Sequence, residues 1–349
     1  MKRCSRLDFQ VGGGYDNGTM KALVTGGAGY IGSHLVDRLL ADRYEVVVLD
    51  NLSVGKLANV KHHLEDRRFQ FIEGSVLDRS LVTETIHDCD LTFHLAAVVG
   101  IPYIVDDPLR GIVTNVVGTE VVLEAANEVG CRFVFASTSE ICGKSEKVPL
   151  SEEGDRLLGS TRISRWSYST AKALDEHLVL AYHQKRGLPA IILRYFNSYG
   201  PRLDPQGYGS VVAKFICQSL RGERLTVHGD GQQTRSFTYI EDTVEGTVLA
   251  AKWEEANGEV FNIGREEETT ILQLAEMVKR ITGSSSQIIF VPYDDLYGSH
   301  FEDARRRLPD TSKAERLLGF KAQVPLAEGL KKTVAWFREI CPQQGRREV

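Results

Sequence analysis

Two ionisable side chains four residues apart open one predicted helix of this 349-residue chain. They are Tyr168 and Lys172, and a spacing of four places them on one face of the helix. A lysine ammonium close to a phenol lowers the pKa of the phenol. The pair could therefore take a proton from a substrate hydroxyl near neutral pH.

A polar turn follows the predicted strand 132–136. It reads Ser137-Thr138-Ser139-Glu140, so hydroxyls and a carboxyl lie at the carboxyl end of that strand. In an open parallel sheet this edge binds the ligand. We therefore expect Thr138, Ser139 and Glu140 to join Tyr168 and Lys172 in the chemistry.

Three glycines form a second motif, Gly26-x-x-Gly29-x-x-Gly32, between a short apolar run and an amphipathic segment. Glycines at this spacing make a tight turn, let the backbone approach a pyrophosphate and let the helix pack on the strand. Asp50 ends the next apolar run, near the position of a ribose-binding carboxylate. The motif predicts a dinucleotide site.

Alternating strand-like and helix-like segments must position these residues. Strands are predicted at 21–25, 45–49, 69–72, 91–95, 132–136 and 190–194, and helices at 30–42, 79–87, 112–129 and 168–186. Apolar strands with intervening helices predict an α/β fold, a Rossmann-type doubly wound parallel sheet with a smaller C-terminal substrate-binding lobe. We expect a flexible leader at 1–19, a dinucleotide-binding domain at 20–200 and a mainly substrate-binding lobe at 201–349, with the chain returning to the sheet.

Composition excludes several classes of protein. The formal net charge of −5 and the lack of a long basic run argue against a nucleic-acid partner. The sequence has no apolar stretch long enough to span a bilayer, so we expect no membrane partner. Its six cysteines form no Cys-x-x-Cys pair and no metal-ligand spacing, so we expect a reduced, cytoplasmic protein without a metal site.

Taken together, the motifs resemble those of the extended short-chain dehydrogenases/reductases of the NAD-dependent epimerase/dehydratase family. The matching pieces run from Thr25–Gly32 through Asp50-Asn51, His94–Ala97, Asn115–Thr119, Ser137–Glu140, Tyr168 with Lys172, Arg194–Asn197, Tyr199–Arg202 and Gln233–Ile240 to Phe261–Gly264. The resemblance covers nearly everything from Met20 to about Phe337.

The resemblance implies NAD as cofactor, a UDP-sugar as substrate and a homodimer built through the helices near 112–129 and 168–186. Implied cofactor-binding residues are Gly26, Gly29, Tyr30, Ile31, Gly32, Asp50, Asn51, Ser53, Ser75, Val76, Leu95, Ala96, Ala97, Asn115, Tyr168 and Lys172. Implied substrate-binding residues are Thr138, Asn197, Arg202, Arg235, Arg306 and Arg307. Thr138, Tyr168 and Lys172 would form the catalytic trio.

Two positions depart from the family pattern. The usual Gly-Asp after the third strand reads Gly74-Ser75, which removes the expected carboxylate contact to adenine. The usual Arg-Asp-Phe reads Arg235-Ser236-Phe237, which leaves Arg235 without its neighbouring carboxylate.

The strand-end trio Thr138-Ser139-Glu140 and the run 302–310 resemble enzymes that act on UDP-glucuronic acid. Oxidation at C4 makes that sugar a β-keto acid, which can lose carbon dioxide or be reduced on its opposite face. The sequence narrowly favours the second outcome, 4-epimerisation to UDP-galacturonic acid. Decarboxylation to UDP-xylose or a 4-keto-pentose, UDP-glucose 4-epimerisation, and a non-catalytic NAD sensor remain alternatives. Dehydration is disfavoured because Ser139 stands where a dehydratase carries an acidic Asp.

Overall fold

A computed structural model describes residues 19–206, 210–297 and 302–341 of the chain. Except for Thr19, the predicted leader lies outside the described residues. Among those residues, no helix combines the length and apolarity that crossing a membrane requires.

The centre of the molecule is a seven-stranded sheet in the order β3-β2-β1-β4-β5-β6-β11, with every neighbouring pair parallel. The strands of the chain are β1 (Lys21–Thr25), β2 (Glu45–Asp50), β3 (Phe69–Glu73), β4 (Leu91–His94), β5 (Arg132–Thr138), β6 (Ala190–Tyr195), β7 (Ser198–Tyr199), β8 (Leu225–His228), β9 (Thr234–Arg235), β10 (Thr238–Tyr239), β11 (Val260–Ile263), β12 (Thr269–Thr270) and β13 (Ile288–Val291). This is the doubly wound parallel sheet that the sequence predicts, and the prediction is confirmed.

Helices cover both faces of the sheet. They are α1 (Tyr30–Ala41), α2 (Arg79–Ile86), α3 (Ile101–Asp106), α4 (Pro108–Val129), α5 (Ser167–Arg186), α6 (Val211–Leu220), α7 (Ile240–Lys252), α8 (Ile271–Thr282), α9 (Tyr293–Tyr297), α10 (Ser312–Leu318) and α11 (Leu326–Ile340). The central strands are buried along their length, as β6 shows with six buried residues in a row. Near-continuous apolar strands of this kind require a covered sheet.

The C-terminal part of the chain adds small strand pairs outside the main sheet, β7 with β10, β9 with β12 and β8 with β13. Its strand β11 lies in the main sheet beside β6. The segments around β8, β9 and residues 303–307 reach the carboxyl edge of the sheet, where they line the same cavity as the ends of β1, β4 and β5.

Candidate active site

A cavity of about 700 Å³ lies along the carboxyl edge of the sheet. Most of the residues singled out from the sequence line it. They are Gly26, Gly29, Tyr30, Ile31, Gly32, Asp50, Asn51, Ser53, Val76, Leu95, Ala96, Ala97, Thr138, Ser139, Glu140, Tyr168, Lys172, Asn197, Arg202, Arg235 and Arg307. The cavity therefore joins the glycine turn, the strand-end hydroxyls and the Tyr/Lys helix in one space.

The glycine turn leaves no room for side chains. Gly26 has φ of +70°, which disfavours residues with a Cβ, and a Cβ on Gly32 would lie 2.3 Å from the Gly26 carbonyl oxygen. The turn leads into α1, whose N-terminus at Gly29 has no side-chain cap. Its first backbone N–H groups are therefore free for an anion, which fits a dinucleotide pyrophosphate.

Asp50 ends β2 beside this turn. Its two carboxylate oxygens accept hydrogen bonds from the backbone N–H of Ala28 at 3.0 Å and of Leu52 at 2.8 Å. Burial nevertheless raises the pKa of Asp50, against those two hydrogen bonds. The carboxylate is held rigidly at the cavity wall, where its remaining lone pairs suit the hydroxyls of a ribose.

At the other end of the cavity, α5 brings Tyr168 and Lys172 beneath the end of β5. The Lys172 ammonium donates to the carbonyl of Ala136 at 3.0 Å and lies 4.4 Å from the centre of the Phe135 ring. The Thr138 hydroxyl lies near enough to the Tyr168 phenol to lower its pKa. The three side chains of the expected trio therefore lie together at the end of β5.

The protein environment alone works against ionisation of Tyr168. Burial raises the pKa of its phenol, and the carboxylates of Glu140 and Asp175 raise it further, while the Thr138 hydrogen bond lowers it. Burial also lowers the pKa of Lys172. Tyr168 therefore becomes a base near neutral pH only when additional positive charge enters the cavity.

Glu140 is clamped between two guanidinium groups. Arg165 and Arg307 each place a nitrogen 2.5 Å from one of its carboxylate oxygens. Burial opposes ionisation of Glu140, but the charges of Arg307 and Arg165 outweigh it and hold the pKa well below the usual range. Glu140 is thus a permanent carboxylate beside Tyr168.

A second carboxylate extends this ion cluster. Asp303 lies 2.7 Å from Arg235 and 3.6 Å from Arg165. Asp303 is therefore the carboxylate partner of Arg235, because the next residue, Ser236, stands where the family carries an Asp. Three guanidiniums and two carboxylates leave the cluster with one net positive charge, which suits an anionic ligand.

Arg307 keeps unused donors. Within the described part of the chain, its Nε and Nη2 atoms are buried and make no hydrogen bond, although Nη1 is bonded to Glu140. Asn197, also at the cavity wall, has a buried amide oxygen without a partner among the same residues. Buried, unpaired polar atoms cost free energy unless a ligand satisfies them.

Four residues predicted from the sequence to bind ligands lie elsewhere than expected. Three of them, Ser75, Asn115 and Arg306, do not line the cavity, and the fourth is Arg202. The Ser75 hydroxyl accepts from the backbone of Leu77, as a local turn, and Val76 faces the cavity instead. The buried Asn115 amide accepts a hydrogen bond from the backbone N–H of Val98 and donates one to its carbonyl, so it fixes the backbone of this cavity-lining residue.

Arg306 points away from the cavity and forms an exposed ion pair with Glu268. Arg202 does line the cavity, but its guanidinium lies 2.7 Å from Asp37 on α1 rather than with the catalytic trio. Arg202 therefore does not stand beside Thr138 and Ser139, and Arg307 is the arginine near the trio.

Several cavity residues were missed from the sequence. Arg165 is buried yet lies in a short 3-10 helix (Ser164–Trp166) outside any sequence motif, and Asp303 contacts it from far along the chain. In the C-terminal lobe, Lys214 lies 2.8 Å from His228, and burial lowers the pKa of Lys214 to about 8. No local spacing links these pairs, because each is made by tertiary packing.

A family model described as GDP-mannose 4,6 dehydratase matches residues 23–333. The chain belongs to the NAD-dependent epimerase/dehydratase family of extended short-chain dehydrogenases/reductases. The predicted family is therefore confirmed.

Similar proteins in this family are named as decarboxylases and as a 4-epimerase of UDP-hexuronates. A UDP-N-acetyl-alpha-D-glucosaminuronate decarboxylase from Bacillus cytotoxicus is 43% identical over 92% of this chain and 98% of its own. UDP-glucuronic acid decarboxylase 1 from Xenopus tropicalis is 37% identical over 94% of this chain and 74% of its own. Among solved structures, a Bacillus cereus UDP-glucuronic acid 4-epimerase in complex with UDP-glucuronic acid and NAD has a TM-score of 0.83 and 33% identity, covering 92% of this chain and all of its own.

Proposed function

We propose that the chain is an NAD-dependent decarboxylase of a UDP-hexuronate. One observation carries the proposal: the two curated relatives described above are decarboxylases of UDP-hexuronates, and one of them is 43% identical over nearly the whole chain. The sequence narrowly favours 4-epimerisation, whereas these relatives favour the decarboxylation that it keeps as an alternative. A 4-epimerase of UDP-glucuronic acid stays the second candidate, since a solved enzyme of that name shares the fold at 33% identity.

The cofactor of the proposal is NAD. Its pyrophosphate would lie on the free N–H groups at the start of α1, and Asp50 would accept hydrogen bonds from the adenosine ribose. A carboxylate at this position repels a 2′-phosphate, so NAD is favoured over NADP. When bound, NAD⁺ accepts a hydride from C4 of the sugar and later returns it. We assign the cofactor mainly to residues 20–200 and the sugar nucleotide mainly to 201–349.

Tyr168 would remove the proton of the sugar 4-hydroxyl, and Thr138 would hold the oxyanion that develops. Lys172 would stabilise the phenolate by its charge. The 4-ketone makes the uronate a β-keto acid, so the bond from C5 to the carboxylate breaks and its electrons move toward O4. Carbon dioxide leaves, and a proton adds at C5.

Arg307 supports a uronate rather than a neutral hexose. Its Nε and Nη2 donors are buried and unused among the described residues, and its Nη1 contact with Glu140 places it beside the trio. The cluster's net positive charge would attract a sugar carboxylate, and the fixed negative charge of Glu140 would keep that carboxylate from being held too tightly to leave. The family resemblance implies that Arg307 binds the substrate, and we assign it to the uronate carboxylate of the sugar.

The substituent at C2 of the sugar has two candidates. The relative with 43% identity is named for a 2-acetamido uronate, and the one with 37% identity for glucuronic acid. Incubation of the protein with NAD⁺ and either UDP-glucuronic acid or its 2-acetamido analogue, followed by identification of the product sugar, tests the proposal. A UDP-pentose from one of them is the expected product, and a C4 epimer that keeps its carboxylate would contradict it.

A homodimer completes the proposal. One face of α4 exposes large apolar side chains at helical spacing: Leu109 is 71% exposed, and Ile112, Val113 and Val117 are 37–42% exposed. Leu174 on the adjoining α5 is 47% exposed. Since α4 and α5 pack side by side, a two-fold axis would bury this face against its copy as a four-helix bundle.

A further inference from the structure

Asp175 is a buried carboxylate that the proposed chemistry does not use. It has no exposed surface and lies on α5, three residues after Lys172 and seven after Tyr168. Residues at these spacings share one face of a helix. The carboxyl group therefore lies along the same buried face as the two residues that carry the proton.

No donor among the described residues satisfies this carboxylate, since neither oxygen accepts a hydrogen bond there. Thr119 on α4 is its polar neighbour. However, the Thr119 hydroxyl donates its only proton to the carbonyl of Asn115 at 2.6 Å and lies 3.1 Å from Nε2 of His94. An isolated buried carboxylate is costly, so its presence calls for a nearby positive charge.

Lys172 is that charge. Its ammonium is buried, and its neighbours are a backbone carbonyl and the Phe135 ring, neither of which carries a negative charge. Glu176 is also close to Lys172, but it is already paired with an arginine. Its two oxygens accept hydrogen bonds from Arg194 at 3.0 and 2.8 Å, and one also accepts from Ser137. Of these two carboxylates, Asp175 therefore balances the positive charge of Lys172.

We propose that Asp175 is a positioning residue for the reaction: it is the buried counter-charge that keeps Lys172 protonated and so sets the alkaline limit of activity. The inference rests on the proton transfer by Tyr168 in the proposed function, and it does not depend on whether the 4-keto sugar loses carbon dioxide.

The charged groups around Asp175 define the sign of the effect. Lys172, Glu176 and Tyr168 share its helix, and the charge of Asp175 raises the pKa of the Tyr168 phenol. Helix α4 presents Thr119, and β4 lies behind with His94. Burial, and then the charge of Lys172, lowers the pKa of His94 to about 3, so this ring is neutral. Burial raises the pKa of Asp175 to about 7, against the charge of Lys172.

Above about pH 7 Asp175 carries a negative charge, which opposes the loss of the Lys172 proton that burial favours. Below about pH 7 Asp175 is protonated and uncharged, like the amide of an asparagine in its place. Asp175→Asn should therefore match the wild type on the acid side of the pH–rate profile. On the alkaline side, its activity should fall roughly one pH unit earlier, the usual size of the effect of one nearby opposite charge.

The test is the pH dependence of turnover and, separately, of NAD⁺ affinity measured by calorimetry. Asp175→Asn and Asp175→Ala should both move the alkaline limb to lower pH, Asp175→Glu should retain it, and the exposed Asp88→Asn should leave it unchanged. Alkaline limbs that coincide with the wild type, or a loss of activity that is equal at every pH, would overturn the proposal. If no UDP-sugar is turned over, the proposed function fails, but the NAD⁺ titrations still decide the role of Asp175, with the same early alkaline loss expected.

Discussion

At the scale of single residues, the side chain that we propose as the base is one that burial keeps neutral. Burial raises the pKa of Tyr168, and the carboxylate of Glu140 raises it further. The charge of Arg165 already opposes this rise, and the charges of Lys172 and a bound cofactor would bring the phenol further toward the working range. The proposed base would thus be coupled to cofactor binding, since burial keeps the phenol protonated in the empty enzyme.

Tyr168→Phe removes one hydroxyl from a buried ring and should leave the fold and NAD⁺ affinity close to wild type. Turnover should fall by about 10²-fold or more, the scale of general acid–base catalysis. Steady-state kinetics with the preferred UDP-sugar, beside NAD⁺ binding measured on the same preparation, checks this. Near-normal turnover would move the base to another residue.

Two adjacent arginines provide a matched pair of variants. Arg307 is buried against Glu140, whereas Arg306 is exposed and paired with Glu268. Arg307→Gln should lower kcat/KM for a UDP-uronate by about ten- to a hundred-fold, because a charge-assisted hydrogen bond is worth roughly 1.5–3 kcal/mol.

Arg306→Gln, one position away, should keep kcat/KM within about two-fold, as expected for an exposed ion pair. Both variants are assayed under one set of conditions. Equal losses in the two variants, or an undiminished Arg307→Gln, would rule out Arg307 as the uronate ligand.

The place of a residue at the cavity was predictable where a short motif defines it. Tyr168 with Lys172 and the three glycines belong to such motifs, and all of them line the cavity. The places of Arg165 and Asp303 were not predictable, since these residues meet across more than a hundred positions of the chain. Likewise, nothing in three consecutive arginines tells which of them turns inward.

At the scale of elements, the glycine turn and α1 form one unit that depends on close backbone contact. A Cβ on Gly32 would meet the Gly26 carbonyl at 2.3 Å and the Gly27 Cα at 2.8 Å. Both contacts are with backbone, so the turn itself must shift. Sequence periodicity predicted β1 to β6 and the helices α1, α2, α4 and α5 of this half, because apolar runs and helical spacing are local signals, but it missed the six-residue helix α3.

Gly32→Ala should therefore weaken NAD⁺ binding by roughly ten-fold or more, since overpacking of this kind costs about 1–3 kcal/mol. Gly130→Ala is the control. It places the same methyl group in open space at the end of α4, where φ of +73° strains the backbone without touching the cofactor turn. The control should lose some thermal stability and keep its NAD⁺ affinity, and unchanged affinity in Gly32→Ala would contradict the assigned cradle.

The short strands of the C-terminal lobe were harder to predict. Elements such as β9 and β12 contain two residues each and pair only after the chain has folded back. Their sequences carry no period that distinguishes them from loops. They are nevertheless what brings Arg235 to the cavity.

At the scale of the whole molecule, the apolar face of α4 predicts a dimer. Leu109→Glu combined with Val113→Glu should convert the protein to a monomer, because the double variant would bury two carboxylates in the proposed dimer interface. Leu64→Glu is the control, since Leu64 is also exposed (51%) but belongs to neither α4 nor α5. Analytical ultracentrifugation measures the masses, and a wild type that sediments as a monomer would refute the dimer.

The cavity places Tyr168 and Lys172 beside a cluster with one net positive charge, and we propose that together they decarboxylate a UDP-hexuronate. The reaction is tested with substrate labelled with ¹³C in the carboxylate, by following labelled carbon dioxide against substrate consumed. We expect one carbon dioxide released for each sugar converted, together with a UDP-pentose. A C4 epimer that keeps the label in its carboxylate would contradict this proposal and restore 4-epimerisation as the reaction.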